Sequence, residues 1–267
     1  MHEACEGLSM EPRWGTDPVD LAARDLPALK ASFLLRHLPA RGNALELGSG
    51  EGKILRTLRR ERPQLSLIGC DVRDVPPADG AYEFRRIRGG VPARDGELDV
   101  ALFVDVLEHL DDPAAVLADL RRALRPGGLL LGFIPLEGEP WSAYALYRLL
   151  LGPQLYRDTK EHVQSFSRAR ARELLADFRV YEERHAYHLL GQTLDASFFA
   201  LAKHPRVRRF WWTENRYYVG PLAQPRPLAR ALNGLLSAGN WLSFTESRLL
   251  ARVPWLSAGL LFAARRP

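Results

Sequence analysis

The chain has 267 residues, 37 basic against 32 acidic side chains, and two cysteines. That length supports one sizeable α/β core with room for a small cap, and two cysteines exclude both a disulfide framework and a cysteine metal site. The net charge of +5 comes almost wholly from arginines that are scattered and mixed with acids, as in Arg59-Arg60-Glu61-Arg62, so no nucleic-acid surface is expected.

In chain order, the polar stretch 1–25 lacks a signal-peptide core and no apolar run reaches bilayer length, which makes a cytoplasmic protein the expectation. Leu26 to Leu38 is predicted as an amphipathic helix, stopped by Pro39-Ala-Arg-Gly42. Ala44 to Leu47 reads as a buried parallel strand emptying into Gly48, Gly50 and Gly52, with a helix from Lys53 to Arg60 behind them. Such a turn offers a ligand backbone N–H groups rather than side chains. A dinucleotide fingerprint spaces its glycines G-x-G-x-x-G; here the third comes one residue early, and Glu46 stands two residues before the first. An acid there opposes a pyrophosphate and suits an ammonium or sulfonium group, both of which S-adenosylmethionine (SAM) carries. A nicotinamide-dependent oxidoreductase is disfavoured on the same two features.

Leu65 to Cys70 reads as the second strand, ending at Asp71 about 20 residues after the glycines. Pro113 to Leu124 has a helical apolar period, with Asp112 as N-cap and Pro126-Gly127-Gly128 as terminator. Helices are predicted at Trp141 to Leu151 and Ser167 to Ala176, and strands at Phe178 to Tyr187 and Leu256 to Ala264. Residues 188–254 are too long for a hairpin and form the most aromatic part of the chain, with Phe198, Phe210, Trp211, Trp212, Trp241 and Phe244 among them; Leu228 to Trp241 is long enough for a helix.

Glu46-Leu-Gly48-Ser49-Gly50-Glu-Gly52 resembles the first motif of class I SAM-dependent methyltransferases, and the family's further motifs follow in order. Asp99 to Pro113 resembles the fourth strand and turn of the branch that contains ubiquinone and menaquinone methyltransferases, and Leu124 to Pro135 resembles the turn into the fifth strand. The resemblance implies a Rossmann-like, doubly wound seven-stranded α/β sheet, mostly parallel with an antiparallel last strand. The corresponding domains are a polar segment 1–25, a SAM-binding core 26–187, an inserted aromatic-rich helical cap or lid 188–254, and a closing strand 255–267. It also implies SAM as cofactor, held by Glu46, Gly48, Ser49, Gly50, Gly52, Asp71 at the ribose, Val72, Asp105 and Val106. The acid that family members often place after the third strand to bind adenine has no counterpart in Arg88-Gly89-Gly90-Val91-Pro92.

His162, in a segment resembling the one before the family's sixth strand, is the candidate general base, because an imidazole titrates near neutral pH and can take a hydroxyl proton; the alternative is a histidine capping the next helix. His109 is expected to be structural, and His185 and His188 are lesser pocket candidates. Asp105, Glu108 and His109 are suitable metal ligands, but acids in such a turn commonly cap helices, and no metal is expected. The reaction expected is methyl transfer to a small or medium, largely apolar or lipid-like acceptor, with oxygen preferred. A non-catalytic SAM-binding or interaction protein is the alternative from another class. The basic and aromatic run Lys203 to Trp212 leaves a peripheral membrane contact or a homodimer contact as roles for the insertion.

Overall fold

The computed structural model describes residues 17–152, 162–201, 204–216 and 226–267. Lys160, Glu161, Lys203, Tyr217 and Tyr218, and the first sixteen residues, lie outside that set.

Helix α1 (Leu26–His37) opens the core, with the Asp25 carboxylate accepting from the Ala28 N–H as its N-cap. Strand β1 (Gly42–Leu47), helix α2 (Lys53–Glu61), strand β2 (Leu65–Asp71) and strand β3 (Glu83–Arg86) follow. The nearly continuous burial of β1 and β2 is what a parallel strand covered on both faces requires. Strand β4 (Leu98–Val104) leads through a single 3-10 turn (Leu107–His109) into helix α3 (Pro113–Ala123). Asp112 caps α3 as predicted, accepting from the Ala115 N–H. Strand β5 (Leu124–Pro135) begins directly at Leu124, so Pro126-Gly127-Gly128 is not a helix terminator. Leu124 already pairs with Leu98, and the three residues form an irregularity inside the strand before regular pairing resumes at Leu129.

Helix α4 (Ala143–Leu151) starts after Trp141, because the Ser142 hydroxyl takes the capping position. Ser167 does the same for helix α5 (Arg168–Leu174). Strand β6 (Arg179–Ala186) is followed by helices α6 (Leu189–Leu201), α7 (Pro205–Thr213) and α8 (Pro227–Leu249), then by strand β7 (Gly259–Arg265). Helix α8 runs on well beyond Trp241 to a length of 23 residues, since no proline interrupts it and Gly234 and Gly239 are tolerated inside a helix.

The seven strands order as β3-β2-β1-β4-β5-β7-β6. Pairing is parallel from β3 to β5, and β7 runs antiparallel to both β5 and β6. Charged residues populate the two edge strands, β3 and β6, which discourages edge-to-edge pairing. One face of the sheet packs Leu117, Leu120 and Leu174 of α3 and α5 against Phe103, Ile134 and Phe262. The other packs Phe33, Leu34, Leu55 and Leu58 of α1 and α2 against Leu102, Leu131 and Phe133. Each such fully buried Leu or Phe contributes roughly 1.5–3 kcal/mol of transfer free energy. The chain leaves β1 toward β2 and β3 and returns beside β1 as β4, so the strand order reverses between β1 and β4; ligands of such sheets bind at the carboxyl ends there. No helix among the described residues is long and apolar enough to cross a membrane.

Candidate active site

The three glycines after β1 all have positive φ: 68° at Gly48, 50° at Gly50 and 77° at Gly52. Only glycine takes up three such conformations without strain. Space imposes the same choice. A Cβ at Gly48 would lie 2.7 Å from Val106, and one at Gly52 would lie 2.3 Å from the Tyr82 ring. At Gly50 the nearest atom would be the Arg73 guanidinium at 3.4 Å, so this residue faces the open side.

Asp71, at the end of β2, meets this turn directly. One carboxylate oxygen accepts from the Gly50 N–H at 2.9 Å and the other from the Arg73 N–H at 2.9 Å, with the Arg73 guanidinium at 3.4 Å. Ser49 donates its N–H to the Cys70 carbonyl, which ties the loop to β2, and Gly52 donates to the Ser49 carbonyl, which closes the turn on itself. Val72, by contrast, presents an apolar side chain 66% exposed beside the turn. Glu46 is buried under the loop; it accepts from the Leu55 N–H at the start of α2 and keeps one carboxylate oxygen unpartnered among the described residues. Burial, then the Asp71 charge, pushes its carboxyl well above the ordinary range, although the helix N–H partly offsets this. The Ser49 and Tyr82 hydroxyls beside it are likewise buried without a partner.

Asp105 adopts φ 54°, unusual outside glycine, and its carboxylate meets the Lys30 ammonium at 2.5 Å. Lys30 reaches it from α1 across the face of Phe133, 3.7 Å from the ring centroid. This pair separates Asp105 from the metal-ligand set considered for the turn. Glu108 and His109 instead come together with His162, their ligand atoms all within 4.8 Å of one another.

His162 does not cap α5; that role belongs to Ser167. Its Nδ1 lies 2.9 Å from a carboxylate oxygen of Glu137, a buried residue just past the end of β5. Its Nε2 is 3.9 Å from Glu108 and beyond hydrogen-bond reach, while the His109 ring sits edge-on at 4.9 Å. The segment is held by its backbone. Val163 and Gln164 donate to the Glu108 carbonyl, Gly138 donates to the Phe166 carbonyl, and Arg148 donates to the Glu137 carbonyl. Glu108 is fully buried with neither oxygen hydrogen-bonded among the described residues, and burial followed by the Asp105 charge raises its pKa well above the usual value.

His185 and His188 belong elsewhere. Nδ1 of His185 meets the Ser257 hydroxyl and Nε2 of His188 meets the Val253 carbonyl, tying β6 to the segment before β7. In the insertion, Phe210 is buried against Phe198, whereas Trp241 borders an apolar groove that contains neither His162 nor any residue of the glycine turn.

Sequence reasoning missed Glu137, Lys30, Arg73 and Tyr82. Glu137 follows the carboxyl end of a central strand, where site residues of such sheets gather. Lys30 is one of only four lysines and falls on the apolar side of a predicted helix, a usable signal.

A tight glycine turn, an acid closing the neighbouring strand and a reversal of strand order beside them define a Rossmann-like core. A family model described as a methyltransferase domain matches residues 22–180. The chain belongs to this family, the class I SAM-dependent methyltransferases. It is 34% identical over 142 residues to a 37.1 kDa protein of transposon TN4556 from Streptomyces fradiae, covering 47% of this chain and 39% of that protein. It is 24% identical over 187 residues to the ubiquinone biosynthesis O-methyltransferase of Neisseria meningitidis serogroup C, covering 63% and 78%. The chain thus spans less than half the length of the first curated relatives it matches. Geranyl diphosphate C-methyltransferase from Streptomyces coelicolor A3(2), solved with Mg2+, geranyl-S-thiolodiphosphate and S-adenosyl-L-homocysteine, superposes with a TM-score of 0.54 at 14% identity, covering 96% of this chain and 88% of that one. At that identity the likeness concerns the fold alone.

Proposed function

We propose that this chain transfers a methyl group from SAM to the oxygen of a small or medium, largely apolar acceptor. The observation that carries the cofactor half is the glycine turn: its backbone is open at Gly50, flanked by Asp71, and underlain by a buried Glu46 oxygen that lacks a partner. A cationic ligand fits that acid. Gly48, Ser49, Gly50, Gly52 and Glu46 would hold the methionine portion, Asp71 the ribose, and exposed Val72 an adenine face, with Asp105 and Val106 bordering the transfer site. When bound, SAM supplies an already activated methyl group, so the protein's work is positioning and proton removal.

His162 is the proposed base. With Glu137 2.9 Å from Nδ1, a proton on that nitrogen would be held by the carboxylate, and Nε2 would be left to take the proton of an acceptor hydroxyl. Glu108, driven toward its neutral form by burial, does not lock the imidazole into a permanent ion pair. The preference for oxygen draws support from this unoccupied basic nitrogen and from the O-methyltransferase relative. The insertion, packed through α6 against α4, is proposed as the cap of the acceptor side.

Calorimetric titration with S-adenosylhomocysteine tests the cofactor site. Binding is expected, with Asp71→Ala weakening it about 10–100-fold, the loss of one or more hydrogen bonds to a charged group. Undetectable binding to the intact protein, or unchanged affinity in Asp71→Ala, would overturn the assignment.

A further inference from the structure

Helix α8 carries a second message in its outward face. Leucines recur every seventh residue at Leu228, Leu235, Leu242 and Leu249, and their exposures run from 39% to 79%. Ala231, Ala238 and Thr245 interleave with them at the complementary spacing, which makes one uncharged heptad stripe along the helix. The opposite face points inward: Ala229, Ser243 and Ser247 are buried, and the Ser247 hydroxyl accepts from the Tyr187 N–H. The helix is therefore amphipathic in an inverted sense, since apolar side chains face outward.

We propose that this stripe is a self-association surface, pairing α8 with α8 of a second copy in antiparallel fashion about a two-fold axis between Leu236 and Ser237. That register sets Leu228 against Thr245, Ala231 against Leu242 and Leu235 against Ala238, so that each layer matches a large residue with a small one. Parallel, in-register pairing would instead alternate Leu–Leu with Ala–Ala layers and leave gaps at the alanines.

Two further observations fit the same axis. Gly234 of each copy comes level with Gly239 of the other, and a Cβ at Gly234 would meet nothing, so no packing within the monomer explains a glycine in this helix interior. Close backbone approach of a second helix would. Leu190, Trp241, Leu242, Thr245, Glu246, Leu249 and Leu250 also line an open groove of about 390 Å³. Residues 242, 245, 246 and 249 have the i, i+3, i+4, i+7 spacing of a hole that receives a knob, and the antiparallel register brings the partner's protruding Leu228 to it.

A helix of 23 residues is about 34 Å long and about 10–12 Å wide, which in plan is about half of the roughly 800 Å² per partner found in stable interfaces. The corrugated leucine stripe and the adjoining exposed Leu190 and Leu194 of α6 extend that contact. A lipid surface fits less well, because Arg230 and Arg248 are the only cations on the helix.

Sedimentation equilibrium across micromolar concentrations tests this surface. A dimer is expected, and Leu235→Glu with Leu242→Glu should raise its dissociation constant at least 100-fold while far-ultraviolet circular dichroism stays unchanged. Gly234→Leu, an exposed change that leaves the monomer's packing untouched, should weaken it as well. In a Cys5→Ser background, a short bismaleimide should link copies through Ala238→Cys but not Leu228→Cys, since the two Leu228 positions would lie about 25 Å apart along the axis. A monomer at every concentration, a dimer indifferent to the glutamates, linking through Leu228→Cys, or a monomer that binds anionic vesicles through this face would each overturn the proposal.

Discussion

As the proposed base, His162 would act only as well as Glu137 and the surrounding backbone hold it. Its Nδ1 is 2.9 Å from Glu137, and the neighbouring Val163 and Gln164 N–H groups are tied to the Glu108 carbonyl, so the ring has little freedom to leave the turn after β4. His162→Asn is expected to lower kcat by about 10²–10⁴, the usual contribution of a positioned base, while leaving S-adenosylhomocysteine affinity unchanged. Glu137→Gln should give a smaller loss of kcat and a displaced pH profile, because the amide no longer sets the tautomer. Unaltered kcat in His162→Asn, measured with a radiolabelled methyl donor, would remove the base assignment. Activity that vanishes with a chelator and returns with a divalent ion would reassign His162, Glu108 and His109 to metal binding.

At the level of elements, two of the inserted helices are tied to each other by a side chain of α8 that caps the start of α6. The Glu246 carboxylate on α8 accepts from the Leu190 and Gly191 N–H groups at 2.9 and 3.0 Å, which satisfies otherwise open donors at the start of α6 and places an anion at the positive end of its dipole. Close packing accompanies this, since a Cβ at Gly191 would lie 2.3 Å from the Ser243 hydroxyl. Glu246→Ala is expected to cost about 1–3 kcal/mol in chemical denaturation, two charge-assisted bonds at a partly exposed site. An unchanged midpoint would show that α6 and α8 are held by apolar contacts alone.

Across the whole molecule, buried titratable groups make stability depend on pH in two opposing ways. Burial, reinforced by Arg168, lowers the His185 pKa from 6.5 to about 4, so the unfolded chain binds its proton first. Stability from this residue is complete above pH 6.5 and is lost as pH falls toward 4, by about 1–3 kcal/mol. Glu46 and Glu108 act oppositely. Their raised pKa values mean that the folded state holds protons the unfolded state has released, so stability falls as pH rises above the ordinary carboxyl range. The melting temperature of His185→Gln should therefore lack the rise between pH 4 and 6.5 expected of the parent, and an identical rise in both would exclude His185 as its source.

The sequence by itself determined the sheet and its cofactor end, because those features are local: period, caps and glycine spacing depend on neighbours in the chain. The turn at Gly48, Gly50 and Gly52 and the Asp112 cap were legible for that reason, whereas the antiparallel sense of the last strand came from the family resemblance. The partners of the reactive groups were not. Glu137 meets His162 from 25 positions away, and Lys30 meets Asp105 from 75 positions away, distances over which no short-range pattern carries information. Only the tertiary structure decided that Asp105 is paired while Glu108 and His109 gather around His162. It alone also turned the leucines of α8 outward, since a helical period defines a face but not the direction in which the fold points it.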